Sequence, residues 1–115
     1  MIQEHDVEMA DIAFATSDWS TVERTTHAGE RGMAHWRTRH FGKIRVRMVE
    51  YSNDYLADHW CSKGHILLCL EGTLLTELAD GRTFTLTRGM SYQVADNADA
   101  HRSSSLTGAT LFIVD

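Results

Sequence analysis

The sequence predicts an all-β fold, a small antiparallel β-barrel or double-sheet roll formed by a single domain. Three observations support this prediction. Short strand-like segments recur at close and even spacing, turn residues separate them, and no long segment has the periodicity of a helix. A length of 115 residues fits one domain and leaves no room for two.

The beginning of the chain lacks a regular pattern. Residues 1–20 contain one weakly apolar stretch, so we expect them to form an extended N-terminal arm, with the barrel domain at 21–115. The first residues are acidic and do not have the basic and then apolar order of a signal peptide. No segment approaches the roughly 18 apolar residues that cross a bilayer. We therefore expect a cytoplasmic protein.

Two long strands are predicted next, at 33–40 and 43–51, joined by a turn. In the second strand Ile44, Val46 and Met48 alternate with basic residues, and a period of two places these apolar side chains on one face. Arginines on the other face could meet an anionic ligand, but such an alternation is more typical of a solvated face. We therefore assign no role to Arg45 and Arg47.

The remaining predicted strands are shorter, and the polar run at 96–105 is interpreted as a connection. Asp80-Gly81 is the strongest turn signal, because this pair matches the twist of a two-residue hairpin. The short strands are predicted at 56–61, 65–70, 73–78, 82–87, 92–94 and 110–114.

Composition limits the partners of the protein. A formal net charge of −5 leaves no basic surface for nucleic acid. With 43% hydrophobic residues the chain can bury a core, but a domain of this size is only modestly stable alone. We therefore expect a homodimer.

The chemistry of the chain is concentrated around His59, Cys61 and His65. Residues two apart on a strand point to the same face, so His59 and Cys61 can aim at one point. A turn at 62–64 then returns the chain, which brings His65 across from the first pair. Imidazole and thiolate are ligands for zinc, iron, nickel or copper rather than for magnesium or calcium.

These residues resemble the first motif of the cupin superfamily, a glycine followed by His-x-His, an acidic residue and a closing glycine. His59 matches the first histidine, Cys61 stands at the second, and His65 stands at the acidic position. Gly72 closes the motif at the expected distance, whereas Asn53 replaces the leading glycine. Both exchanged residues are themselves good metal ligands, which favours a retuned site over a lost one.

A second cupin motif is similar to the segment that begins at Gly89. His101 follows it one residue late, and Ser105 stands in place of the closing asparagine. Ala95 replaces a proline, and Asn97 replaces a glycine. The latter exchange is mild, because asparagine tolerates a left-handed backbone better than other residues with side chains.

The resemblance covers roughly 43–114 and is similar in detail to small single-domain cupins described by a "DHCW" motif. Here the four residues run Asp58-His59-Trp60-Cys61, so the last two are exchanged. The resemblance implies a cupin barrel with one divalent transition metal, zinc before iron, nickel or copper, and not a known reaction.

Other interpretations of the candidate ligands remain open. Cys61 could be a buried thiol or a redox-sensitive thiol beside the metal. His101 could be a solvated loop histidine. Cys69 lies among leucines, so we expect it to pack in the core.

Two functions fit the ligand set of His59, Cys61, His65 and His101. Three ligands with an open position would make the protein a metal-dependent enzyme on an unidentified small molecule. Four ligands closed around zinc would make it a structural or sensing module without chemistry. No residue identifies the reaction or a general base.

Overall fold

The computed structural model of the protein describes residues 9–115, and this part of the chain forms one antiparallel β structure with nine strands. A short 3₁₀-helix at Trp19–Thr21 precedes the strands. Among these residues no helix is long and apolar enough to span a membrane. The strands are β1 (Arg24–Ala28), β2 (Met33–Phe41), β3 (Ile44–Tyr51), β4 (Tyr55–Leu56), β5 (His65–Leu78), β6 (Thr83–Thr87), β7 (Ser91–Val94), β8 (His101–Ser105) and β9 (Ala109–Val114).

Strand β5 connects the two parts of the sheet. Its first half pairs with β7 and β9, and its second half pairs with β6 and β8. The strand order is β1-β2-β3-β9-β5-β8-β4, with β6 and β7 attached to β5. The register shifts between Cys69 and Glu71, and Gly72 follows with a φ of 76°. This bulge bends β5 and lets one strand belong to both halves of an all-β double-sheet roll.

The core lies between the two halves. Leu67 and Leu74 on β5 and Leu111 on β9 are almost fully buried, and Val49 on β3 packs with them. Cys69 belongs to the same cluster and has no exposed surface, so its expected packing role is confirmed. Alternate residues of β9 are buried, which is the pattern of a strand with one face on a core.

Five predicted strands are confirmed to within one residue, namely those that became β2, β3, β6, β7 and β9. The two predicted at 65–70 and 73–78 are one continuous strand, because Glu71-Gly72 forms a bulge rather than a turn. Gly81 has a φ of 96° in the tight turn between β5 and β6, as the predicted hairpin requires.

The strand predicted at 56–61 is wrong. The last backbone bond to β8 runs from the amide of Ala57 to the carbonyl of Ser103 at 3.0 Å, and the carbonyl of Ala57 accepts from the Arg102 side chain at 2.9 Å. Backbone pairing resumes only at Cys61, which forms an isolated bridge with His101. Cys61 is therefore placed by β8 and not by a hairpin with His65.

The run at 96–105 is also more ordered than predicted. Its second half is β8, which pairs with β4 and β5 and buries His101 and Ser105. Asn97 in its first half has a φ of 60°, so it adopts the left-handed conformation expected of a residue that replaces glycine.

The apolar alternation predicts that Ile44, Val46 and Met48 face the core, but the opposite face of β3 points into the molecule. Arg47 and Val49 are buried, and they share their face with Arg45 and Tyr51. Met48, on the outer face, is paired in register with Phe112 of β9, and the ring of Trp19 in the 3₁₀-helix packs edge-on against Phe112. The basic residues of β3 therefore point into the molecule.

Candidate functional site

One cavity of about 270 Å³ has all four predicted ligands in its wall: His59, Cys61, His65 and His101. Its remaining wall comes from the inward face of β3 and from residues of the neighbouring strands. The four residues, although up to 42 positions apart by their numbering, therefore lie around one space.

Backbone pairing positions Cys61 beside His101. The amide of Cys61 donates to the carbonyl of His101 at 2.8 Å, and the amide of His101 donates back at 3.0 Å. Residues directly opposite each other in an antiparallel pair project to the same side. The thiol and the imidazole therefore face the same space.

His101 is oriented by a backbone hydrogen bond. Its side chain is buried, and Nδ1 lies 2.8 Å from the carbonyl oxygen of Asp99. A carbonyl can only accept, so Nδ1 carries the proton and Nε2 of the neutral ring carries the lone pair. This Nε2 is buried and, within residues 9–115, has no hydrogen-bond partner.

His65 is oriented by a tyrosine and a carboxylate. Nε2 lies 2.8 Å from the hydroxyl of Tyr92, and Nδ1 faces the Asp115 carboxylate at 3.6 Å. The anion favours the proton on Nδ1, which leaves Nε2 to accept from the Tyr92 hydroxyl. The ring centroids of His65 and His101 are 4.8 Å apart.

Burial keeps both groups of this hydrogen bond neutral. Burial, and then the neighbouring His101, lower the pKa of His65 to about 4. Burial raises the pKa of Tyr92, so its hydroxyl stays protonated. At neutral pH His65 is therefore an uncharged imidazole, the form that can bind a metal ion.

Cys61 and His59 complete the set at different depths. The sulfur of Cys61 accepts from the backbone amide of Lys63 at 3.4 Å, and the residue is partly buried. The side chain of His59 is 72% exposed, and its Nδ1 lies 2.6 Å from a carboxylate oxygen of Asp58. His59 therefore lies at the rim, while Cys61 lies nearer the two buried imidazoles.

A second charged cluster at the cavity was not predicted from the sequence. The Asp115 side chain has no exposed surface, and Arg45 binds its two oxygens through Nε and Nη2 at 2.7 and 3.0 Å. Nη2 of Arg47 donates to the same carboxylate at 3.0 Å. Burial alone would raise the pKa of Asp115, but the hydrogen bonds from Arg45 and the charge of Arg47 hold it below its usual value.

The described residues hold the ligand candidates close together without a closed coordination shell. Within 9–115, no three His, Cys, Asp or Glu side chains are arranged to hold a metal ion. Nε2 of His65 is occupied by Tyr92, and the ring of His59 is turned to Asp58. The donors still fit a borderline transition metal, because two imidazoles and a thiol face one cavity.

No protein-family model matches the chain, and no curated protein matches it by sequence. Solved structures similar to it include an RmlC-like cupin from Shewanella frigidimarina, with a TM-score of 0.71 and 17% identity over 90% of this chain and 91% of that chain. A predicted oxalate decarboxylase from Thermotoga maritima gives a TM-score of 0.74 and 11% identity over 87% and 96%. A sugar phosphate isomerase of the cupin superfamily from Silicibacter pomeroyi gives 0.67 and 14% over 87% and 74%.

Because the sequence identities are only 11%, 14% and 17%, the structural similarity shows a shared fold and nothing more. It agrees with the double-sheet roll. The resemblance that the sequence motifs indicate is thus confirmed as a structural one, and this chain has the cupin fold.

Proposed function

We propose that the protein binds one divalent transition-metal ion in this cavity and acts as a metal-dependent enzyme on a small molecule. The observation that carries the proposal is Nε2 of His101. It is buried, oriented by the Asp99 carbonyl, and without a partner in the described chain. A buried polar atom left unpaired costs about 1–3 kcal/mol, and a bound cation removes that cost.

His65 is the second ligand of the proposed site. A carboxylate that faces Nδ1 of a metal-binding histidine is a common supporting contact, because it fixes the tautomer and makes Nε2 more basic. Asp115 occupies that position at 3.6 Å. To hold an ion, Nε2 of His65 would give up its hydrogen bond with the Tyr92 hydroxyl.

Cys61 is the third ligand, because its backbone pairing with His101 directs the thiol to the same space. Two imidazoles and a thiolate favour zinc, with iron, nickel or copper as alternatives. The bound ion would act as a Lewis acid on a carbonyl or on water.

The position of His59 favours an open site. Its side chain is 72% exposed and paired with Asp58, so three ligands remain inside and a fourth position stays available to a small molecule. Structures with this fold include a sugar phosphate isomerase and a predicted oxalate decarboxylase. Both descriptions are of enzymes, which supports an enzymatic role here.

The alternative is a closed zinc site without chemistry. The observation that favours it is Cys61, whose sulfur accepts a backbone N–H as sulfur ligands of structural sites often do. In this case His59 would leave Asp58 and complete a His-Cys-His-His set.

Metal analysis of purified protein tests the proposal. We expect one equivalent of a transition metal, or one equivalent of zinc after titration. His101→Gln should bind at least about tenfold more weakly, since a ligand is lost. His40→Gln, at an exposed histidine of β2, is the matched control and should bind like the wild type. A folded His101→Gln protein with unchanged affinity, or a wild type that binds none of the four metals, would contradict the proposal.

Cobalt substitution separates the open site from the closed one. With Co²⁺ bound, a sulfur-to-metal charge-transfer band that is absent in Cys61→Ser shows thiolate ligation. In an open site, added azide shifts the visible spectrum, and His59→Ala still binds one equivalent. In a closed site azide has no effect, and His59→Ala loses affinity.

A further inference from the structure

Arg47 is a cation held almost wholly inside the cavity. Its side chain is 8% exposed, and its guanidinium lies over the ring of Trp36, with Cζ 4.4 Å from the ring centroid. Nη2 donates to Asp115 at 3.0 Å. Its Nε is buried and, in the part of the chain that the structure describes, donates to no acceptor.

The charges around this donor do not balance. Arg45 and Arg47 line the cavity, and Asp115 is the one carboxylate in its wall. Two guanidinium groups thus face one side-chain carboxylate among the described residues, whereas the whole chain has a formal charge of −5. A buried cation with a free donor is a site for an anion, because a charge-assisted hydrogen bond is stronger than a neutral one.

We propose that the cavity binds a small organic carboxylate, whose oxygen accepts a hydrogen bond from Nε of Arg47. The inference deepens the proposed function and rests on the same cavity, since it names the class of small molecule presented to the metal. The interaction itself depends on Arg47 and not on the ion.

Charge and size favour a monocarboxylate over a phosphate. In the metal-free cavity the single negative charge of a carboxylate pairs with the one guanidinium that Asp115 does not neutralise, whereas a phosphate group has about −1.5 to −2 at neutral pH. The cavity volume of about 270 Å³ lies just below the common range for ligand pockets, which starts near ~300 Å³. The ligand is therefore small.

Asp115 and Trp36 act as positioning residues for this contact. Asp115 binds Arg45 through both oxygens and Arg47 through one, so it fixes both guanidinium groups. The Trp36 ring supports the other side of Arg47. The guanidinium of Arg47 is therefore held in one orientation before a ligand arrives, which lowers the entropic cost of binding.

Nuclear magnetic resonance titration of the protein after EDTA treatment tests the inference. The probe is sodium butanoate, and the control ligand is butanamide, which has the same size and no charge. We expect saturable shifts of cavity amides with butanoate and binding at least about tenfold weaker with butanamide, as for the loss of a charged hydrogen bond. Equal binding of the two ligands, or no butanoate binding, would overturn the inference without any variant.

Substitutions then locate the contact. Arg47→Met should weaken butanoate binding about tenfold or more, because the donor and its charge are lost. Arg88→Met, at an exposed arginine, should leave it unchanged. Arg47→Lys keeps the charge beside Asp115 but lacks Nε, so it should stay folded and recover only part of the affinity. A folded Arg47→Met protein with wild-type affinity overturns the inference.

The remaining outcomes separate this inference from the metal proposal. If butanoate binds the EDTA-treated protein and no metal is ever bound, the carboxylate site stands and the metal site fails. If butanoate binds only the metal-loaded protein, the metal site stands and the Arg47 contact fails. Inorganic phosphate that binds more tightly than butanoate overturns the assignment to a carboxylate.

Discussion

At the scale of single residues, the candidate site depends on which ring nitrogen of each histidine has the proton. The carbonyl of Asp99 fixes this for His101, and the carboxylate of Asp115 favours the same tautomer in His65. In both rings Nδ1 faces the orienting group; Nε2 of His101 has no hydrogen-bond partner among the described residues, whereas Nε2 of His65 is bonded to the Tyr92 hydroxyl. Nearby polar groups thus prepare both imidazoles for the same kind of bond.

The depressed pKa of His65 predicts that the metal-free protein loses stability in mild acid. Burial is the main cause, and the charged and titratable groups facing the ring are His101, Asp115, Arg47 and Tyr92. The folded pKa is about 4 and the ordinary value is 6.5, so between them the unfolded chain takes up a proton that the folded protein does not. Stability is therefore complete above pH 6.5 and is lost as the pH falls towards 4.

Urea unfolding in EDTA measures this loss. The free-energy difference between wild type and His65→Gln should change by on the order of 2 kcal/mol from pH 7 to pH 4.5, after allowance for solvent screening. The change should be in the direction that weakens the wild type relative to the variant in acid. His40→Gln should show no such change. A wild-type-to-variant difference that is independent of pH would contradict the prediction.

The same residues show what local sequence can and cannot establish about the site. Spacing was sufficient to select His59, Cys61, His65 and His101, which share one cavity wall. Arg47 was missed, because three apolar residues on the other face of its strand indicated that the arginines were solvated. A longer window gives the signal: Val49 and Tyr51 continue the face of Arg45 and Arg47, and all four line the cavity.

At the scale of strands, the sequence predicted those with apolar alternation and missed those without it. The five residues of β1 are all exposed, so no burial pattern could mark them. Strand β8 reads His-Arg-Ser-Ser-Ser, and its pairing with β4 and β5 comes from tertiary contacts that composition does not encode. The strand that supplies His101 was therefore the least predictable one.

The bend in β5 predicts a large cost for Gly72→Ala. The backbone φ there is 76°, and an added Cβ would collide with the carbonyl oxygen of Gly108. Left-handed strain and overpacking against backbone together should cost about 3 kcal/mol or more. The free energy of unfolding, measured by denaturant titration, gives this cost.

Gly81→Ala is the matched control for that substitution. Gly81 also has a positive φ, 96°, but nothing lies within 4 Å of an added Cβ. Only the backbone penalty of about 1–2 kcal/mol should appear. Equal losses at the two glycines would show that the approach of Gly72 to Gly108 does not constrain β5.

At the scale of the whole molecule, the fold and the site place opposite demands on the interior. Leucines and Val49 fill the space between the sheet halves, whereas the cavity holds two arginines, a carboxylate and two imidazoles. These polar groups reduce the apolar area that so small a chain can bury. The polar groups of the candidate site therefore make the hydrophobic core of the double-sheet roll smaller.

Because the apolar core is small, we expect the protein to be a homodimer in solution. Ile66 lies on β5 between β7 and β9, yet it is 59% exposed, and β1 is an edge strand of the sheet within residues 9–115. A second copy of the chain packed on this face would remove that apolar surface from water. We expect light scattering to give twice the 13.0 kDa of one chain.

Two substitutions test whether this face forms the contact. Ile66→Glu should shift the mass towards that of the monomer. Leu106→Glu, at an apolar residue beyond the end of β8 that is 79% exposed, should leave the mass unchanged. A wild type of monomer mass at micromolar concentration would contradict the prediction, because the small core would then be sufficient alone.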